Sequence, residues 1–334
     1  MDPSSGGLTF ESVAKGSLNP SFLEVHPKRA FLYAVNEVPS FAGQDGGGLS
    51  AFSINSTTGE LTLLNEQLSH GTDPCYVSIE QTGRFALIAN YTSGSIAMFP
   101  IQTDGQLGPA TEVIQHSGSS IHPERQTSPH AHCILSDPRN RFAITVDLGL
   151  DKLMIYEMDL ERGKLRKHGE VKVQAGAGPR HLTFHPNGQY AYLINELNAT
   201  LTGYRYHTDA GTFEELQTVA ALPQDFTGEN LCADVHISPD GKFLYASNRG
   251  HDSIVCFLID EDNGWLTYRS HTSTGGREPR NFTIDPSGDF LLVANQKTHN
   301  IVTFKIDRAT GQLFKTGHEM EVSLPVCVKY ADLT

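Results

Sequence analysis

Several things are scarce in these 334 residues, and each scarcity excludes something. No stretch approaches the roughly 18 consecutive apolar residues that a membrane-spanning helix needs. The start, Met1-Asp2-Pro3-Ser4-Ser5-Gly6-Gly7, has no basic segment with an apolar run behind it, so no secretory signal is expected. The five cysteines, Cys75, Cys133, Cys232, Cys256 and Cys327, are widely spaced and include no Cys-x-x-Cys pair. That pattern fits a reducing, cytoplasmic setting without structural disulfides or zinc. Basic residues are few: 25 Lys and Arg against 38 Asp and Glu give a formal charge of −13. Such a chain has no general attraction for nucleic acid or an anionic membrane. Trp265 is the single tryptophan, which removes the Trp-Asp signature of one large propeller class. There is no Gly-x-Ser-x-Gly elbow, P-loop or dinucleotide fingerprint.

What the chain does have is a repeat. Pro179-Arg180-His181-Leu182-Thr183-Phe184-His185-Pro186-Asn187-Gly188 is matched 100 residues later by Pro279-Arg280-Asn281-Phe282-Thr283-Ile284-Asp285-Pro286-Ser287-Gly288. Units begin near residues 19, 73, 129, 178, 232 and 278, with a fragment from Pro325. Each has a Pro, an alternating apolar segment, a tight turn, a strand such as Tyr190–Ile194 or Phe290–Ala294, a polar loop and two further strands. Period-two segments broken by turn residues are strands, not helices. Four short strands per unit of about 50 residues is the β-propeller pattern.

The expectation is therefore an all-β, seven-bladed propeller of four-stranded antiparallel blades, one domain over residues 1–334. The closing blade would combine residues 1–18, with a strand near Leu8–Ala14, and residues 325–334. It would be incomplete. The irregular interval from Gln115 to Ser128 is expected to be a long loop.

Positions that only build a blade should repeat, and positions that bind something should not. Two columns vary in polar character. The column that follows the opening Pro, where one is present, holds Ser21, Cys75, His132, Arg180, Ala233, Arg280 and Val326, with His132 placed by counting back from the turn because its unit carries two extra residues. Sixteen residues later come Glu37, Tyr91, Leu148, Glu196, Arg249 and Gln296, each after a recurring Asn or Asp. Those Asn and Asp residues suit strand ends and turns. The columns would bring His132, Arg180, Arg280, Arg249, Glu37, Glu196, Gln296 and Tyr91 to one axial funnel.

Three arginines in an acidic chain point to an anionic ligand, because the planar guanidinium fork suits phosphate and carboxylate. The competing reading is an internal ion-pair cluster. Glu196 and His132 are the two candidates for a general base. His181 either helps bind the ligand or orients its strand. His130 and His132 share one strand face with no obvious third ligand, so neither a metal nor another cofactor is expected.

Gly178-Pro179-Arg180-His181-Leu182, Asn195-Glu196-Leu197, Ser247-Asn248-Arg249-Gly250-His251-Asp252-Ser253-Ile254 and Pro129-His130-Ala131-His132 together resemble the lactonase family of seven-bladed propellers. That family holds bacterial-type 6-phosphogluconolactonases and carboxy-muconate lactonizing enzymes. The resemblance covers about residues 19–334. It implies a cytoplasmic, metal-independent enzyme acting on a small anionic sugar-acid lactone, as in the pentose phosphate pathway. By motif it carries over His132, Arg180, Glu196 and Arg249 as the catalytic set. Arg280, Gln296, His181, Glu37 and Tyr91 are then the expected substrate-binding residues. The alternatives are a carboxy-muconate-type lactone or a non-catalytic binding scaffold. The chain departs from the family before Gly7, where a Tyr-Val-Gly-Thr-Tyr-like segment is usual. Oligomeric state is not legible.

Overall fold

A computed structural model describes residues 1–28 and 30–331. These residues form six four-stranded antiparallel sheets and a small two-stranded hairpin, Ser40–Phe41 with Gln44–Asp45. Within each sheet the strands pair in chain order. The fourth sheet, for example, runs Pro179–Phe184, Tyr190–Asn195, Thr200–His207 and Thr212–Ala220. A single 3₁₀ turn, Gln296–Thr298, is the one helical element among the described residues. The all-β reading and the four-strand unit are borne out.

The chain divides into two compact units. One lies within residues 11–178 and carries the first three sheets; the other comprises residues 1–10 and 179–330 and carries the last three. In each sheet the second strand is nearly or wholly buried, as in Phe85–Asn90 and Tyr190–Asn195. Apolar residues run through these strands without alternation because both faces are covered. The fourth strands are different. Lys164–Lys172 and Thr212–Ala220 are largely exposed and carry charges, which blunts an open sheet edge.

Neighbouring sheets inside a unit are tied by buried tyrosines. The Tyr192 hydroxyl of the fourth sheet donates to the Gly264 carbonyl in the last turn of the fifth, at 2.8 Å. Tyr245 does the same to Gly311, and Tyr33 to Gly105, each at 2.9 Å. Gly264 adopts φ +76°, and a Cβ there would lie 2.5 Å from Tyr190. Only glycine fits that turn.

The expected closing-blade strands do not form. Leu8–Ala14 has no strand, and Phe10 and Val13 are 66% and 70% exposed. A short apolar-containing segment does not make a strand without a partner to complete its hydrogen bonds. Residues 325–331 are not in a strand either, and residues 332–334 lie outside the described residues. The interval after Gln115 is a loop up to Ala131, as expected.

Candidate active site

All six sheets share one irregularity. The pairing of the first two strands shifts register between Pro20 and Phe22, Pro74 and Tyr76, Ala131 and Cys133, Pro179 and His181, Cys232 and Val235, and Pro279 and Asn281. The residue skipped is that of the first column, Ser21, Cys75, His132, Arg180 and Arg280, and in the fifth sheet Ala233 is skipped together with Asp234. A bulge removes a side chain from the regular alternation and re-aims it. The second column lies at the same end. Pro179 pairs with Asn195, the residue before Glu196, and Leu231 pairs with Arg249.

The recurring Asn and Asp residues of this end are all buried, and all but Asn195, whose amide donates to the Thr200 and Thr202 hydroxyls, bind backbone through their side chains. The Asn36 amide donates to the Leu18 carbonyl at 2.9 Å, the Asn248 amide to the Ala221 carbonyl at 2.8 Å, and Asp147 accepts from the His130 N–H. They fasten the strand ends, as turn residues should.

In the unit holding the last three sheets, Arg180, Glu196 and Arg249 come together. Their exposures are 2%, 3% and 7%. Glu196 Oε2 lies 2.9 Å from Arg180 Nε and 2.9 Å from Arg249 Nη2. The Arg180 Nε contact is an ion pair whose N–H is not aligned on the oxygen, so it makes no hydrogen bond. Arg180 Nη1 donates to the Ala233 carbonyl and to His181 Nε2, the latter at 3.2 Å. Arg249 donates to the carbonyls of Leu231 and Cys232. Among the described residues, Arg180 Nη2 and Arg249 Nη1 make no hydrogen bond. Each guanidinium is thus gripped along one edge and open along another.

Burial, followed by the charges of Arg249 and Arg280, pushes Arg180 down to about 10. It remains a cation at neutral pH. Glu196 and Asp234 pull in the opposite direction.

His181 is buried, with Nδ1 2.8 Å from Asp234 Oδ1. Burial and then Arg180 push this imidazole down to about 4, so it is neutral. His236 Nε2 meets Asp234 Oδ2 at 2.9 Å, which makes it a hydrogen-bonded strand histidine. Cys232 is no nucleophile: burial pushes its thiol up to about 12.

Arg280 and Gln296 are half-buried. Arg280 has no hydrogen bond or ion pair among the described residues, but its charge acts on Arg180. Gln296 opens the 3₁₀ turn, with its backbone N–H bonded to Glu278.

The unit holding the first three sheets places the other candidates. His132 is buried, with Nδ1 3.7 Å from Cys75 Sγ and its ring edge-on to Tyr91 at 5.4 Å. Tyr91 stacks on His130, whose Nδ1 bonds the Tyr91 carbonyl at 2.9 Å. Arg125, from the long loop, donates to the Tyr91 hydroxyl at 3.0 Å. Glu37 is half-buried, and its carboxylate makes no hydrogen bond or ion pair among the described residues.

Two contributors were missed in the sequence. Arg125 lies outside the repeat, where no column could find it. Asp234 had a signal. The column after the bulge reads Phe22, Tyr76, Cys133, His181, Asp234 and Asn281. Its last three members are polar and lie in consecutive sheets.

Comparison with known proteins identifies the family. Residues 1–330 match the family model described as Lactonase, 7-bladed beta-propeller. The chain belongs to that lactonase family. The 6-phosphogluconolactonase of Bacillus subtilis strain 168 is 38% identical over 330 residues, covering 99% of this chain and 92% of the relative. The 6-phosphogluconolactonase of Formosa agariphila is 39% identical over 285 residues, covering 84% and 79%. Among solved structures, the Pseudomonas aeruginosa periplasmic gluconolactonase PpgL superposes with TM-score 0.94 at 33% identity, covering all of this chain and 94% of the neighbour. The chain is thus an all-β propeller of four-stranded blades, six of which are built by the described residues. No helix among the described residues is long and apolar enough to cross a membrane.

Proposed function

We propose that this member of the lactonase family hydrolyses a sugar-acid lactone, with 6-phosphogluconolactone as substrate and 6-phosphogluconate as product. The observation that carries the reading is the arginine pair on Glu196, each member held by protein groups on one edge with N–H donors unbonded on another. A salt bridge that only braced the fold would close on itself. The names of the curated relatives supply the substrate.

A lactone is an activated ester. Water attacks the carbonyl carbon while a base takes its proton. Negative charge builds on the carbonyl oxygen, and the ring C–O bond then breaks as the leaving alkoxide regains a proton. Arg180 and Arg249 stabilise that oxyanion, where preorganised donors act most strongly. Glu196 keeps both guanidiniums in register. Arg280, with Gln296 beside its strand end, is the candidate for the anionic tail. Glu196 and His132 are the candidate bases, and each is tested by its own variant. Tyr91 and Glu37 are proposed substrate contacts. The setting proposed is cytoplasmic, in keeping with five free cysteines.

An unphosphorylated gluconolactone is the second reading, favoured by the name of the P. aeruginosa neighbour. A panel of purified lactones separates the two. Preference for the 6-phospho form supports the first, preference for the neutral sugar lactone or a carboxy-muconate lactone replaces it, and turnover of none leaves the binding scaffold.

A further inference from the structure

Asp234 is buried and accepts five hydrogen bonds. Oδ1 takes His181 Nδ1–H at 2.8 Å and the Val235 N–H at 3.0 Å. Oδ2 takes His236 Nε2–H at 2.9 Å, the Asn281 side-chain amide at 2.5 Å and the Phe282 N–H at 3.4 Å. Asn281 is itself fixed, because its Oδ1 accepts the Val328 N–H at 2.7 Å. A carboxylate so placed can only accept. It therefore dictates that His181 carries its proton on Nδ1. With Nδ1 protonated and the ring neutral, Nε2 is a lone pair, and that lone pair faces Arg180 Nη1 at 3.2 Å.

We infer that Asp234 is a positioning residue of the proposed site: it sets the tautomer of His181, and His181 in turn holds the Arg180 guanidinium in place. The inference rests on the lactonase reading in one respect, that Arg180 is what the relay aims. Nη1 is the edge of Arg180 that the relay and the Ala233 carbonyl occupy, which leaves Nη2 for the ligand. The Asp–His–cation order matches the logic by which a buried carboxylate fixes a catalytic or metal-binding imidazole, here applied to a guanidinium. Asp234 also trims the charge. Its carboxylate, like that of Glu196, favours the charged form of Arg180 and opposes the charges of Arg249 and Arg280. Neither column containing the catalytic candidates includes Asp234.

The test combines a rate with a signal that does not depend on turnover. Nitrogen-15 NMR of the histidines should show His181 in the wild type as the neutral Nδ1–H form from pH 8 down to pH 5. Asp234→Asn should convert it to the Nε2–H form or to a mixture, and should lower kcat about 10- to 100-fold with KM changed less than threefold. A second pair covers the case in which Asp234→Asn does not fold. His181→Gln keeps an acceptor where Nε2 lies, whereas His181→Asn keeps only the donor to Asp234. His181→Gln should retain at least tenfold more kcat than His181→Asn. A His181 that titrates near pH 6.5, unchanged kcat in Asp234→Asn, or equal losses in the two His181 variants would overturn the inference. If the wild type turns over no lactone, the functional reading fails, and the NMR tautomer alone then decides the relay.

Discussion

Arg180 sits in the bulge of one strand and Glu196 lies one residue past the end of its hairpin partner, and the two meet at 2.9 Å with both side chains almost wholly buried. Arg249 completes the cluster from the next sheet. The bulge makes this arrangement. A regular strand would send residue 180 to the opposite face from its present neighbours.

Removing either member of the pair should be costly to catalysis. Arg180→Ala and Glu196→Ala are expected to lower kcat/KM about 100-fold or more, equivalent to about 2.7 kcal/mol of transition-state stabilisation. Arg180→Lys should restore little, because an ammonium offers a point charge in place of a fork. Glu196→Ala also leaves two buried guanidiniums without their carboxylate, a loss on the order of 3–5 kcal/mol in fold stability. Steady-state kinetics beside thermal melts separate the two effects. Near-normal turnover in both alanine variants would remove the cluster from the active site.

Arg280 should act on binding rather than chemistry. Its guanidinium has no protein partner among the described residues. Arg280→Ala is expected to raise KM for the phosphorylated lactone about tenfold, or about 1.4 kcal/mol, with kcat kept. KM for unphosphorylated gluconolactone should barely move. An equal change on both substrates would show that Arg280 does not contact the phosphate.

His132→Ala tests the second candidate base. A general base contributes roughly 10²- to 10⁴-fold, so a loss of that size is expected if His132 takes the proton from water. Retained activity would assign the base to Glu196. Cys75→Ser serves as a control, since it keeps a small polar group 3.7 Å from the imidazole.

Acid should destabilise the half of the chain that holds the relay. His181 is held down to about 4 by burial and Arg180, against an ordinary 6.5. Between those values the unfolded chain binds more protons than the folded one. The contribution is therefore complete above about pH 6.5 and is lost as pH falls toward 4, a span worth roughly 3 kcal/mol. Asp234 acts in the same direction at lower pH. Burial opposes its charge, but His236 and the bonds from His181 and His236 hold it well below the ordinary carboxylate range. Its contribution is present above about pH 4 and fades below. Urea unfolding at pH 7, 5 and 4 should show this slope, and His181→Gln should flatten the limb between pH 6.5 and 4.

The tyrosine ties are structural and should behave so. Tyr192→Phe removes one buried hydrogen bond to Gly264 and is expected to cost about 1 kcal/mol, with kinetics unchanged. Gly264→Ala should cost more, because the turn needs a positive φ and the new methyl meets Tyr190.

Much of this was legible in the residues. The Pro-opened repeat, the turn residues and the uninterrupted apolar second strands carry the four-strand unit. The two columns carry the site candidates, since positions that vary in a repeat are free of the demand to build it. The bulge that gives the first column its role was not legible, because no residue type marks it. Asp234 was overlooked for a related reason. Its sheet shifts over two residues, Ala233 and Asp234, where most others skip one, so the charge falls beside the column instead of in it. His181, undecided between ligand contact and scaffold, makes two buried bonds, to Arg180 and Asp234. Leu8–Ala14 misled in the opposite way. Its place in the repeat called for a strand, but it lacks a paired one.

The most direct measurement is acid release from freshly generated 6-phosphogluconolactone by the purified protein, over the spontaneous background, with Arg180→Ala beside it. The account predicts clear turnover by the wild type and a loss of at least about 100-fold in the variant. A flat trace from folded wild-type protein, or equal rates for the two proteins, would contradict it.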